Sequence, residues 1–318
     1  MSTPSGTTIG VLGLGLMGGS CALAAQRAAT PVVCWDSDAD TRRRAAAAGL
    51  RVTSDFSEVG VAVLAVPMPS LTTGLADTLA GVRLSQSVTI TDVGSLKLPV
   101  LDAMASNGLS ARYIGGHPMA GTEQSGFGAA NPDLPRGARW ALCLTGDEPD
   151  LTRWLRVAEV ITKLGAGVLA LTPAEHDRAM ATVSGLPHLL ALGLAASAAQ
   201  AGPLVAALAA GSFADITRVA ASDPRLLHAV IQENEAALRI ALRRLLDQLD
   251  RPWTDLITDG STAKTDLTVG ASGAGYSEER DAVVSGPAEV LELGRMGAVI
   301  VAVEAATGAL RYRKPGTP

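Results

Sequence analysis

The chain has 318 residues, of which 47% are hydrophobic and 18% are charged, with a formal net charge of −5. This length favours two domains, because single hydrophobic cores stop growing at about 250–300 residues. The scattered arginines argue against a nucleic-acid-binding surface. Three cysteines without a CxxC pair argue against a disulfide framework or a zinc site, so we expect no metal and a reducing, cytoplasmic setting.

The first half of the chain alternates short β-rich runs with helical segments. The predicted strands are residues 8–15, 31–36, 61–67, 87–94, 111–118 and 139–146, and the predicted helices are residues 18–29, 40–49, 70–81 and 150–166. The strand segments are bounded by Gly, Pro or Asp, as strands commonly are. This alternation predicts an α/β domain over residues 1–171, with a mostly parallel sheet covered by helices on both faces.

A glycine fingerprint, "GLGLMG", lies between the first predicted strand and the first helix. Gly13 permits a tight turn, Gly15 lets the backbone approach a pyrophosphate, and Gly18 lets the helix pack closely on the strand. The N–H groups at the start of the helix would face the phosphates. We therefore predict a Rossmann-like dinucleotide site that also includes the intervening Leu14, Leu16 and Met17.

Asp36 ends the second predicted strand, where a carboxylate would bind the ribose diol and repel a 2′-phosphate. This favours NAD over NADP as cofactor, although the arginines at residues 42–44 could in principle serve a phosphate. Val66 and Pro67, at the end of the third strand, complete the predicted cofactor site together with Ser95.

Two polar segments follow later strands of the same predicted sheet. "TDVGSLK" places Ser95 and Lys97 after one strand, and "GGHPMAGTEQSGF" places His117 after another. Ligands bind at the carboxyl ends of strands in open α/β sheets. A neutral histidine can accept a hydroxyl proton near pH 7 as hydride leaves a substrate, and a serine can orient its ring.

The second half of the chain reads as an all-α domain over residues 172–267, with helices at 172–200, 203–210, 224–249 and 254–266. Residues 188–211 carry no charge, but Gly202-Pro203 interrupts them after about 14 residues, too few to span a bilayer. We predict two helices there that are buried in a large interface or in the core, and no membrane association. The N-terminus lacks the basic region of a signal peptide. Residues 268–318 are predicted to be an irregular tail containing a short helix and a hairpin.

Four segments, "DVGSLK", "GGHPMAGTEQSG", "EHDRAMATVSGLPH" and "DITRVAASDP", together resemble the prephenate/arogenate dehydrogenase family of tyrosine biosynthesis. They occur in the family's order and at similar spacings, and the resemblance covers roughly residues 8–265. It implies NAD as cofactor, an all-α substrate domain, and a homodimer formed through the C-terminal helices.

The resemblance also implies roles for individual residues. His117 matches the catalytic histidine, which accepts a hydrogen bond from the ring hydroxyl of prephenate, and Ser95 matches the serine that holds it. Arg218 matches the arginine that binds a substrate carboxylate. From the residues alone, Arg218 could equally form a surface ion pair with Asp215 or Asp223.

Four further residues match the family's substrate pocket. His176 and His188 match two histidines that line it, while Glu123 and Asp215 match acidic residues that gate it. A solvent-facing role for His176 stays open on the sequence alone. The chain departs from the family at Gly185, because "SGLPH" stands where the family often has S-H-L-P-H.

The resemblance implies oxidative decarboxylation of prephenate to 4-hydroxyphenylpyruvate, with a small-molecule substrate and no nucleic-acid partner. Use of arogenate, which would give tyrosine directly, is the first alternative. A β-hydroxyacid dehydrogenase is a weaker alternative, because that group relies on a lysine of the interdomain helix and residues 174–200 contain none. A non-catalytic NAD-binding regulator is a third, disfavoured by the joint presence of His117, Ser95 and Arg218.

Overall fold

The computed structural model describes residues 7–122, 124–145, 148–272 and 276–315. The chain divides into two compact units. The first unit comprises Met1–Pro173 together with Thr268–Pro318, and the second comprises Ala174–Leu267. The second unit is therefore inserted in the sequence of the first, and its bounds lie close to those predicted for the all-α domain.

The described residues form fourteen strands and fourteen helices, numbered here in chain order. The strands are β1 (Ile9–Leu12), β2 (Val32–Trp35), β3 (Arg51–Val52), β4 (Asp55–Phe56), β5 (Val61–Leu64), β6 (Arg83–Leu84), β7 (Thr89–Asp92), β8 (Tyr113–Ile114), β9 (Gly116–Pro118), β10 (Arg139–Cys143), β11 (Gly167–Leu171), β12 (Arg280–Val283), β13 (Val299–Glu304) and β14 (Ala309–Arg313). The helices are α1 (Leu16–Arg27), α2 (Ala39–Ala47), α3 (Met68–Leu71), α4 (Leu75–Ala80), α5 (Leu98–Ser106), α6 (Glu148–Lys163), α7 (Pro173–Met180), α8 (Leu186–Gln200), α9 (Pro203–Leu208), α10 (Gly211–Thr217), α11 (Pro224–Ile231), α12 (Glu235–Leu249), α13 (Trp253–Ser272) and α14 (Pro287–Arg295).

The first unit contains a six-stranded parallel sheet in the order β3-β2-β1-β5-β7-β8. Every residue of β1, β5 and β7 is buried, as expected for parallel strands covered on both faces. The predicted Rossmann-like parallel sheet is confirmed, and a two-stranded β4-β6 pair accompanies it.

A second sheet in the same unit corrects two sequence predictions. Its order is β12-β14-β13-β11-β10-β9, and β9 pairs antiparallel with β10. Residues 111–118, predicted as one strand, divide between β8 in the first sheet and β9 in the second. The strand predicted at 139–146 also belongs to the second sheet, as β10. The chain changes sheets at Gly115, and Gly116 then packs against the backbone of β7.

The segment after residue 267 is an integral part of the first unit and not a separate tail. The predicted short helix and hairpin are present as α14 and β13–β14, but β12 forms where a loop was predicted. Gly294 of α14 lies directly on the backbone of Ala170 in β11, so that even a Cβ would collide with its carbonyl oxygen. Val290, Ile300 and Leu310 join the hydrophobic core that contains Trp140 and Trp154.

The second unit is helical throughout its described residues. Its first long helix is continuous from Pro173 to Gln200, with a π-helical segment at Ala181–Gly185. This helix is long and apolar enough to cross a membrane by length and composition, but only 22% of its most apolar window is buried. The prediction of a helix buried in a core is therefore wrong for this chain alone. The helix predicted at 224–249 breaks between Ile231 and Glu235, and Asn234 at the break donates to the Asp177 carbonyl at 2.8 Å.

Candidate functional site

The glycine turn after β1 has the geometry of a dinucleotide-binding loop. Gly13 has a φ of +91°, and a Cβ there would lie 2.5 Å from the Ala65 oxygen. A Cβ on Gly18 would lie 1.9 Å from the Gly13 oxygen, so α1 packs directly on the turn. A Cβ on Gly15 would meet nothing within 4 Å. The loop is therefore tight at both ends and open in the middle, where a pyrophosphate would approach the start of α1.

The side chains of this loop differ in exposure. Leu14 is buried in the core and its backbone N–H donates to Asp36 Oδ2 at 2.6 Å. Leu16 and Met17 are half-buried. Leu14 therefore serves this loop through its backbone, because its side chain is unavailable to a ligand.

Asp36 follows β2 and is half-buried. Its Oδ1 accepts from the Asp38 N–H at 2.8 Å, so both carboxylate oxygens are held by backbone donors. Arg42 stacks over the Trp35 ring at 4.5 Å and donates to the carbonyls of Asp36 and Ser37. The guanidinium of Arg42 is thus engaged by protein groups, which weakens the case for Arg42 as a 2′-phosphate ligand. Val66 is half-buried and Pro67 is exposed in the loop between β5 and α3.

The predicted catalytic residues lie on two elements of the first unit. Ser95 is half-buried in the turn between β7 and α5. His117 is half-buried on β9, opposite Ala141 of β10. The histidine therefore projects from a strand of the second sheet, whereas the serine follows a strand of the first.

A buried ion pair joins these two elements. The Asp92 carboxylate accepts from the Lys97 ammonium and the Gly94 N–H through Oδ2, and from the Tyr113 hydroxyl and the Gly116 N–H through Oδ1. The Lys97 ammonium also donates to the Gly116 carbonyl at 2.6 Å. Asp92 and Lys97 are both fully buried. The sequence places Lys97 beside Ser95 but indicates no role for Asp92 or Tyr113.

His188 is held in one tautomer within the second unit. Its Nδ1 lies 2.8 Å from the Ser184 carbonyl, which can only accept, so Nδ1 carries the proton. Nε2 lies 3.4 Å from the Ser222 hydroxyl. Ser222 follows the 3-10 turn Arg218–Ala221, so this contact brings His188 and the arginine-bearing segment together. The sequence singled out the motif containing Ser222 but not Ser222 itself.

His176 is fully buried and is not the solvent-facing residue that the sequence left open. Its Nδ1 lies 2.7 Å from the carboxylate of Asp177, whose backbone carbonyl accepts from Asn234. This cluster ties α7 to the break between α11 and α12.

The remaining predicted residues are less enclosed. Arg218 and Asp215 are exposed on the surface of the second unit. Glu123 lies outside the described residues. Gly185 is buried in the π-helical segment, and a Cβ there would lie 2.9 Å from the Val230 oxygen and 3.3 Å from Leu238. A histidine at position 185 therefore cannot fit on this backbone, so the departure at this position is explained by helix packing.

Two family models match consecutive parts of the chain. The model described as "Prephenate dehydrogenase, nucleotide-binding domain" matches residues 21–170. The model described as "Prephenate dehydrogenase, dimerization domain" matches residues 172–262. The boundary between the models coincides with the boundary between the two structural units at the start of α7.

Curated relatives carry related names. The chain is 32% identical to prephenate dehydrogenases of Lactococcus lactis and Bacillus subtilis, over 70% and 76% of its length. It spans 64% and 66% of those two proteins, and is thus shorter than both matched relatives. It is 30% identical to the cyclohexadienyl dehydrogenase of Zymomonas mobilis, over 76% of this chain and 86% of that protein.

Solved structures agree with these relatives. A putative prephenate dehydrogenase of Corynebacterium glutamicum superimposes with a TM-score of 0.74 at 30% identity, over 83% of this chain and 89% of that one. The prephenate dehydrogenase of A. aeolicus, solved with hydroxyphenyl propionate and NAD+, gives 0.69 at 27% identity over 85% and 98%. Arogenate dehydrogenase of Synechocystis gives 0.66 at 26% identity over 84% and 98%. With both family models matched in order and curated relatives at 30–32% identity, the chain belongs to the prephenate dehydrogenase family.

Proposed function

We propose that the chain catalyses the NAD-dependent oxidative decarboxylation of prephenate to 4-hydroxyphenylpyruvate. The observation that carries this proposal is the half-buried His117, held on β9 by the buried Asp92–Lys97 pair at the carboxyl end of β7. The carboxyl ends of parallel strands are where ligands bind in this class of sheet. A proton acceptor at that position is the group that oxidation of an alcohol requires.

NAD is the proposed cofactor, because the protein groups present fit it. The open face of Gly15 leaves room for the pyrophosphate, and the hydrogen bond from the Leu14 N–H to Asp36 Oδ2 supports a ribose-binding role for Asp36 next to the glycine turn. Bound NAD would supply the hydride acceptor. The carboxylate of Asp36 disfavours a 2′-phosphate, and Nη1 of Arg42 is already engaged by the carbonyls of Asp36 and Ser37.

His117 accepts the proton of the C4 hydroxyl as hydride leaves C4. The ring carboxylate departs as carbon dioxide, and its bonding electron pair completes the aromatic ring of the product. Because aromatisation supplies the driving force, the protein mainly orients the substrate and provides the base. Ser95 orients the His117 ring in this proposal.

Residues of the helical unit supply substrate recognition. Arg218 binds a substrate carboxylate, since a guanidinium can hold both carboxylate oxygens. His188 contributes through its fixed ring, whose Nε2 lies beside the Ser222 hydroxyl. His176, Asp215 and Glu123 are assigned to the substrate site by family resemblance alone.

We also propose that the chain forms a homodimer through its helical unit and acts in the cytoplasm. Three helices expose pairs of large apolar side chains one turn apart: Leu190 and Leu194, Leu204 and Leu208, and Trp253 and Ile257. Exposed apolar surface of this extent in one unit is typical of an interface. The family model matched here is described as a dimerization domain.

Arogenate is the second candidate substrate, because one structural neighbour is an arogenate dehydrogenase. Prephenate and arogenate differ by a keto group in place of an amino group. Steady-state rates with each substrate, each with NAD and with NADP, test all of these assignments. We expect the highest kcat/KM with prephenate and NAD. Turnover of neither substrate would overturn the proposed function, and a preference for arogenate would replace the substrate.

A further inference from the structure

We infer that Asp92 and Lys97 are positioning residues for His117, because their buried ion pair fixes the backbone from which the histidine projects. The inference rests on the proposed function, since it gives the pair a part in the proton transfer. Neither residue is assigned a direct contact with substrate or cofactor.

The pair holds Gly116 from both ends. The Gly116 N–H donates to Asp92 Oδ1 at 2.9 Å, and the Gly116 carbonyl accepts from the Lys97 ammonium at 2.6 Å. That carbonyl belongs to the planar peptide unit that ends at the Cα of His117. The orientation of this plane therefore sets the direction in which the His117 side chain leaves the strand.

Glycines make room for this arrangement. A Cβ on Gly116 would lie 2.6 Å from the Asp92 carbonyl oxygen, and a Cβ on Gly94 would lie 2.8 Å from Asp92 Oδ2. A Cβ on Gly115 would lie 3.1 Å from both the Lys97 side chain and the Tyr113 hydroxyl. The glycines before His117 thus allow the strand to reach the ion pair.

The position of β9 explains why such an anchor is needed. Among the described residues, β9 is the edge strand of the second sheet, and its three residues pair with β10. A three-residue edge strand is weakly fixed by its ladder alone. Asp92 and Lys97, from the end of β7 and the following turn, hold the side of β9 that faces the first sheet.

Stability alone does not account for the pair. Replacing both members of a buried ion pair with neutral side chains of similar volume often leaves the free energy of unfolding unchanged or raises it. Removing one partner leaves a buried charge without its counter-charge. If Asp92 and Lys97 served only for packing, neutral side chains of similar volume could replace both without an effect on catalysis. A positioning pair must keep the donor to the Gly116 carbonyl.

Two neutral double variants separate these roles. Asp92→Asn/Lys97→Gln removes both charges but keeps an N–H donor directed at the Gly116 carbonyl, on a side chain one bond shorter than lysine. Asp92→Asn/Lys97→Met removes the charges and the donor together. We expect kcat with the better substrate to fall about 10- to 100-fold further in the Met variant, with the KM for NAD unchanged and similar melting temperatures.

Val100→Ala is the stability control, because Val100 is fully buried on the neighbouring α5 and lies outside the network. It should lower the melting temperature and leave kcat unchanged. Equal kcat in the two double variants, or an equal loss of kcat in Val100→Ala, would overturn the positioning role.

A readout independent of turnover distinguishes this inference from the proposed function. The imidazole NMR signals of His117, assigned by their loss in His117→Asn, should move in the Met variant and stay near the wild-type position in the Gln variant. If the double variants do not fold, Tyr113→Phe, which deletes one donor to Asp92, should move the same signals. Unmoved signals in Tyr113→Phe would then overturn the inference, whether or not the wild-type chain turns over prephenate.

Discussion

His117 is the proton acceptor of the proposed reaction, and asparagine at this position keeps polarity but cannot take a proton near neutral pH. We expect His117→Asn to lower kcat by about 10²- to 10⁴-fold and to leave the dissociation constant for NAD within about twofold, since the glycine turn is unchanged. Cofactor absorbance and a fluorescence titration of NAD measure the two quantities.

His228→Asn is the matched control for this variant. His228 is exposed, lies 3.8 Å from Glu233 and has no proposed role, so its replacement should leave kcat unchanged. Near-normal turnover in His117→Asn would contradict the assigned base.

Two cysteines offer a prediction based on ionisation. Burial raises the pKa of the Cys21 thiol to about 12, and burial with a smaller effect of the Asp36 charge raises the pKa of Cys34 to about 11. Both should stay protonated and react slowly with thiol reagents at pH 8 in the folded chain. The rate of thiol labelling at Cys21 and Cys34, before and after urea unfolding, measures their reactivity. Rapid modification of either thiol in the native chain would contradict the prediction.

The same pKa values predict how stability depends on pH. Below the unfolded thiol pKa of about 8.5, both states hold the proton and the thiols have no effect. Above it the unfolded chain ionises while the folded chain does not, so the free energy of unfolding falls as pH rises. Melting temperatures between pH 7 and pH 10 should decline less steeply in Cys21→Ala than in the wild-type chain.

The π-helical segment of the long helix depends on the absence of a side chain at Gly185. We expect Gly185→Ala to lower the free energy of unfolding by about 1–3 kcal/mol, because the new methyl group meets the Val230 carbonyl. Gly193→Ala on α8 is the control, since a Cβ there meets nothing within 4 Å. It should instead stabilise by about 0.5–1 kcal/mol. Urea unfolding followed by circular dichroism measures the free energy of unfolding of both variants. A change of the same sign in both would refute the packing explanation.

Elements with a local mechanical cause were predictable from the sequence. The glycine turn and the strands predicted at residues 8–15, 31–36, 61–67 and 87–94, which are β1, β2, β5 and β7, each follow from a few neighbouring residues. The division of residues 111–118 between two sheets was not predictable, because it depends on Asp92 and Lys97, residues far along the chain from Gly116. The helix break at Asn234 likewise depends on a contact with Asp177, and β12 depends on its pairing with β14.

The proposed homodimer can be tested through the exposed faces of the helical unit. Ile257 is 68% exposed and lies one turn from Trp253, which is 78% exposed. We expect Ile257→Arg to convert the dimer to a monomer with an unchanged circular dichroism spectrum, since a buried unpaired charge at an interface is costly. Sedimentation equilibrium measures the mass.

Val283→Arg is the control, because Val283 is 69% exposed but lies on β12 of the first unit. It should leave the mass unchanged. A wild-type monomer, or a dimer insensitive to Ile257→Arg, would contradict the proposed interface.

The insertion of the helical unit has a consequence for the order in which the chain can fold during synthesis. β11 leaves the ribosome before the helical unit, but its antiparallel partner β13 follows that unit, with Val168 opposite Ile300. Until residues 299–304 emerge, the nascent sheet that bears His117 has an unpaired edge at β11. Pairing of two strands that lie so far apart in the sequence, as β11 and β13 do, is slow. The nascent helical unit can therefore form first, and the sheet that contains the His117 strand is completed only after residues 299–304 have emerged.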